Sequence, residues 1–97
     1  MHSVALLALL EAKAGKQEEL AAFLKSALPL AVQEAATVSW FSFRIDSSRF
    51  GIFDTFADES GRNAHLNGEI AKALFARAEE LLASPPQIER PEILAAK

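Results

Sequence analysis

The order of periodic segments in this chain predicts an α+β domain of the split βαβ, ferredoxin-like kind: strand, helix, strand, strand, helix, strand. Three observations carry that expectation. "SVALLALLEAK" (Ser3 to Lys13) is apolar at odd and even positions alike; the residues after Lys16 and after Gly68 repeat their apolar positions with a helical period; and two alternating segments flank "DSSR".

The 97 residues, here expected to form one domain spanning 1–97, leave little surplus core. Hydrophobic residues make up 51%, high for a small monomer, which points to a second copy covering part of the surface. A net charge of −3 without a basic cluster gives no electrostatic reason to expect a nucleic-acid partner. The absence of cysteine excludes disulfides, thiolate chemistry and cysteine zinc sites. "VALLALL" is too short to span a bilayer, and with His2 before it and "EAKAGKQEE" after it does not resemble a secretory leader; no membrane association and a cytoplasmic location are expected.

The first segment fits a strand buried on both faces and ends before Gly15. Leu20, Phe23, Leu24, Ala27, Ala31 and Ala35 then follow the 3.6-residue period, with Glu18 and Glu19 where the helix dipole favours acids. Pro29 removes a backbone donor and should kink the last turns.

Thr37 to Asp46 and Arg49 to Ala57 read as a hairpin. Pairing Asp46 with Arg49 would set Phe41, Phe43 and Ile45 beside Asp54, Ile52 and Phe50 on one face. The other face would then carry Trp40, Ser42 and Arg44 against Thr55, Phe53 and Gly51, with Gly51 leaving room for a close neighbour.

Asp58 is a suitable N-cap for a short helix to Leu66. Asn67–Gly68 interrupts it, and Ile70, Ala71, Leu74, Phe75, Ala78, Leu81 and Leu82 form the stripe of a longer helix. "SPP" ends that helix, and "QIERPEILAAK" reads as a weak strand that Pro91 confines to an edge.

Two polar residues stand out. Asp54 falls among aromatic and aliphatic neighbours, where a carboxylate is costly unless it is bonded or neutralised. It reads either as a functional acid or as a structural partner of loop amides or an arginine. His65 also has two readings. An unbroken helix from Asp58 to Leu82 would align it with Arg62, Glu69 and Lys72 on a solvated face, whereas a break at Asn67–Gly68 turns it inward over the sheet. Metal ligation is not expected from one internal histidine and scattered acids, and no phosphate loop, nucleophile elbow or dinucleotide fingerprint is present.

"FGIFDTFADESGRNAHLNGEI" resembles the strand-to-helix signature of the antibiotic biosynthesis monooxygenase family of dimeric α/β barrels, with Phe50, Ile52, Asp54, Phe56, Asp58, Ala64 and His65 at the matching positions. "EAATVSWFSFRID" resembles the strand that precedes it. The departures are Asp54 where the family usually has glutamate, Ile70 in place of a second histidine, and Ala36 in place of a turn glycine. The haem-degrading branch fits less well, because its ligand histidine would fall near Phe75 and its first-strand asparagine is missing.

The resemblance implies a homodimer that uses no cofactor and takes O2 with an electron-rich aromatic, such as a quinol or polyketide phenol, as substrate. His65 would be the general base, Asp54 its orienting partner, and Trp40, Phe41, Phe43 and Phe56 the pocket lining. The alternative is a non-catalytic dimer of the same fold that binds a small hydrophobic ligand.

Overall fold

The computed structural model describes residues 3–97, so His2, cited above against a leader, lies outside it. Eight elements follow in the order β1 (Val4–Glu11), α1 (Gln17–Ser26), α2 (Leu28–Gln33), β2 (Thr37–Arg44), β3 (Arg49–Phe56), α3 (Glu59–Leu66), α4 (Glu69–Leu81) and β4 (Gln87–Glu89). The sheet runs β2-β3-β1-β4 with every neighbour antiparallel, the strand order of the split βαβ fold. Among the described residues no helix is long and apolar enough to cross a membrane.

The expected first helix is two helices. α1 stops at Ser26 and α2 restarts at Leu28, with Pro29 in its first turn, where a missing N–H leaves no bond unmade. The break aims the end of α2 at α3, and this places Glu34 in the site described below. The second helical region divides as the sequence predicts. Asp58 caps α3 by accepting a hydrogen bond from the Gly61 amide at 3.0 Å, and Asn67–Gly68 separates α3 from α4.

The hairpin register differs from the expected one by a single residue. Ile45, not Asp46, pairs with Arg49, whose carbonyl accepts the Ile45 amide at 2.8 Å. Asp46 belongs to the turn: its carboxylate accepts the amides of Ser48 and Arg49 and bonds the Arg49 guanidinium. Because side chains alternate, this one-residue slip exchanges the faces of β2. Trp40, Ser42 and Arg44 stand opposite Asp54, Ile52 and Phe50, while Phe41 and Phe43 stand opposite Phe53 and Gly51.

The helices pack on the first of these faces. Leu20 and Leu24 of α1, Leu74 and Leu81 of α4, and Leu10, Phe50 and Ile52 of the sheet form one continuous core. Arg44 sits at its rim, over the Phe50 ring and paired with Glu18, and is not on the second face as expected. On that second face Phe41 and Phe43 remain 57% and 37% exposed. The room left by Gly51 is taken by Phe43, whose ring lies where a Cβ at residue 51 would sit.

Candidate functional site

Asp54 faces the helices from the middle of β3, and its side chain is only 1% exposed. The break at Asn67–Gly68 tips α3 so that His65 points inward, 8% exposed, with its ring centroid 5.5 Å from that of buried Phe56. The two polar groups meet: His65 Nε2 lies 2.8 Å from Asp54 Oδ2. This approach is an ion-pair contact set off the ideal hydrogen-bond direction, and neither Asp54 oxygen has a well-aligned donor among the described residues. The solvated reading of His65 is thereby excluded. Arg62 is also buried, and it turns away to bond the carbonyls of Ala5 and Pro91.

The sequence reading missed a third member. Glu34, the residue that ends α2, places Oε1 2.6 Å from His65 Nδ1, and the Thr37 hydroxyl donates to the same oxygen at 2.8 Å. No local pattern marks Glu34, because its partner lies 31 positions along the chain. The imidazole is therefore held between two carboxylates on opposite sides of its ring. Burial by itself pushes the imidazole towards its neutral form. The contacts and charges of Asp54 and Glu34 together outweigh this and raise its pKa to about 8.

His65 is also a wall between two spaces. On the Asp54 side is a cavity of about 40 Å³ lined mainly by Leu6, Ala8, Ile52, Leu74 and Ile88, with Phe75, itself 54% exposed, reaching the surface. On the Glu34 side is an open groove of about 440 Å³ that also runs past Gln33, Thr37, Gly61 and Glu69. The carboxylates approach the ring from opposite sides, so the three groups do not converge on one metal position.

None of the four residues expected to line a pocket here borders the cavity: Phe56 is buried beside His65, and Trp40 lies on the same face, directly opposite Asp54. Trp40 packs against the core, and its buried indole N–H has no partner among the described residues. Phe41 and Phe43 are on the other side of the sheet, a consequence of the register slip, and do not reach the cavity.

A split βαβ sheet with this site under its helices has the fold seen in proteins provisionally named antibiotic biosynthesis monooxygenases. One from Nitrosomonas europaea superposes with a TM-score of 0.84 at 14% identity, over 96% of this chain and 91% of its own. A structure from Pseudomonas aeruginosa gives 0.83 at 24% identity, over 98% and 97%. No family model matches the sequence, and no functionally curated protein matches it significantly. A crystal structure of a protein of unknown function from Nitrosomonas europaea is 58% identical, with a TM-score of 0.98 over 100% of this chain and 94% of its own. The chain belongs to the same family as that protein.

Proposed function

We propose that the protein is a cytoplasmic, homodimeric, cofactor-independent monooxygenase that acts on a small electron-rich phenol or quinol with O2. The observation that carries the reading is the buried Asp54–His65 pair, set at an apolar cavity with carboxylate oxygens that no well-aligned donor among the described residues satisfies. Unsatisfied buried acceptors call for a partner, and a phenolic hydroxyl is a suitable one.

In this reading neutral His65 accepts the phenolic proton. The phenolate passes one electron to O2, and the radical pair closes a bond between a ring carbon and oxygen. The imidazolium protonates the resulting peroxide. His65 then takes the proton from the same ring carbon as the O–O bond breaks, and returns it to the departing hydroxide. A ring C–H has become C=O and the second oxygen atom has left as water, with all four electrons supplied by the substrate. The protein has only to bind, move protons and exclude water.

A space of about 40 Å³ holds water but not a ring, so the substrate must displace Phe75 and its neighbours at the mouth. The same small volume favours a second reading, in which the fold binds a hydrophobic ligand elsewhere and the polar pair is structural. Oxygen uptake with a panel of hydroquinones and polycyclic phenols separates the two. Substrate-dependent uptake that His65→Ala abolishes supports the oxygenase, and its absence across the panel supports the binding protein.

The homodimer is supported by the exposed aromatics Phe41 and Phe43, which with Phe53 make an apolar sheet face of the kind a second copy covers.

A further inference from the structure

We propose that Glu34 is the positioning residue of the site: it holds the Nδ1–H of His65, so that neutral imidazole offers Nε2 to the cavity. The role in turnover rests on the oxygenase reading, whereas the assignment of the tautomer does not.

The geometry distinguishes the two carboxylates. A carboxylate can only accept, so the 2.6 Å bond at Nδ1 requires the proton to be there. The Thr37 hydroxyl fixes the accepting oxygen. A Cβ on Gly68 would come within 3.2 Å of the other oxygen, so the absence of a side chain there makes room for it. Asp54 has no such alignment at Nε2. When the imidazole carries a single proton, Nδ1 is the better-bonded place for it. Nε2 is then a lone pair facing Oδ2 at 2.8 Å, a contact between two acceptors that an inserted substrate hydroxyl would relieve.

Exposure is graded along the same line. The side chains of Asp54, His65 and Glu34 are 1%, 8% and 19% exposed, so Glu34 holds the ring from its solvent side while Nε2 faces the enclosed side. Three charged groups face the ring or its groove from other elements: Asp54 from β3, Glu34 from the end of α2 and Glu69 from the start of α4. On its own helix, Arg62 is engaged with Ala5, Pro91 and Glu59.

The test begins with histidine-labelled protein and long-range 15N–1H NMR across pH, without substrate, with His65→Asn used to assign the signals. Above the titration, wild-type His65 should show the Nδ1–H tautomer. Glu34→Gln keeps the side-chain length and removes the charge, and should lower the imidazole pKa. An Nε2–H tautomer in the wild type, or an unshifted titration in Glu34→Gln, would overturn the proposal. With a turned-over substrate, Glu34→Ala should lower kcat about 10²-fold with KM unchanged, and formate should restore part of the loss. An unchanged kcat would also overturn it. If the wild type turns over no substrate, the oxygenase reading fails, and the tautomer and titration decide this one.

Discussion

Trp40 and Asp54 stand directly opposite each other across the β2–β3 ladder, and each holds buried polar atoms that no well-aligned hydrogen bond from the described residues satisfies. A donor and acceptors left open on neighbouring strands suit a ligand hydroxyl, which can accept from one and donate to the other. Trp40→Phe keeps most of the ring and removes the N–H. It should weaken binding of a phenolic ligand by about 2–10-fold, the worth of one hydrogen bond. Stability should be unchanged or slightly higher, because an unsatisfied buried donor has gone. A stability loss above about 2 kcal/mol in urea titrations would mean that the indole N–H has a structural partner in solution.

The open sheet face gives a test that avoids the site. Phe41 points away from the cavity, so Phe41→Asp should leave the His65 environment intact. In a homodimer it would set a charge in an apolar interface, and sedimentation at micromolar concentration should show monomer in place of dimer. A wild-type chain that sediments as a folded monomer would refute the dimer outright.

Much of this architecture was legible because local chemistry determines it. Asp58, the Asn67–Gly68 break and the Pro85–Pro86 pair each act on their own few residues: α3 begins after Asp58, the break parts it from α4, and α4 ends at Leu81, ahead of the prolines. The inward turn of His65 followed from that break. The hairpin register was not legible, since it depended on whether Asp46 continued the strand or folded back onto Ser48 and Arg49, and the sequence permits both. That one residue moved Phe41 and Phe43 off the cavity face and put Trp40 on it. Glu34 was hidden for a different reason. Its role arises from the break between α1 and α2 and from a contact distant in sequence.

Arg62 illustrates a buried charge with a structural task. Its Nη1 donates to the carbonyls of Ala5 at 3.1 Å and Pro91 at 3.3 Å, and Nη2 bonds Glu59 at 2.5 Å, tying the first strand to the C-terminal segment through α3. Arg62→Met keeps the stem and takes a donor from both carbonyls, of which Pro91 still accepts the Ala5 amide at 3.0 Å. It should cost about 2–3 kcal/mol in urea denaturation, with the dimer retained. A loss below about 0.5 kcal/mol would mean that water replaces the guanidinium without penalty.

The raised pKa of His65 links stability to pH. The folded value, about 8, lies above the unfolded value of 6.5, so protonation favours the native state. The resulting stabilisation is complete below about pH 6.5, is lost as pH rises through 8, and amounts to at most about 2 kcal/mol. Denaturant midpoints should therefore fall between pH 6 and pH 9 in the wild type, and this part of the fall should vanish in His65→Asn. A wild-type midpoint that rises across that interval would contradict the cation held between Asp54 and Glu34.

Catalysis should move in the opposite direction over the same interval. A general base must be neutral, and His65 becomes so only as pH passes about 8; kcat/KM for a phenolic substrate should rise with its ascending limb centred there. Asp54→Asn removes one of the two flanking charges, so the limb should shift to lower pH while the plateau falls. His65→Ala should lower the plateau by about 10²–10⁴-fold, the usual worth of a positioned base, and leave the Phe41 face and the assembly unchanged. Oxygen-electrode rates for wild type, His65→Ala and Asp54→Asn from pH 6 to 10 test all three statements. A wild-type limb near 6.5 would mean that the carboxylates do not hold the imidazolium in solution. A His65→Ala rate within about threefold of wild type would remove His65 from the chemistry, leaving the pair as a buried structural contact in a ligand-binding fold.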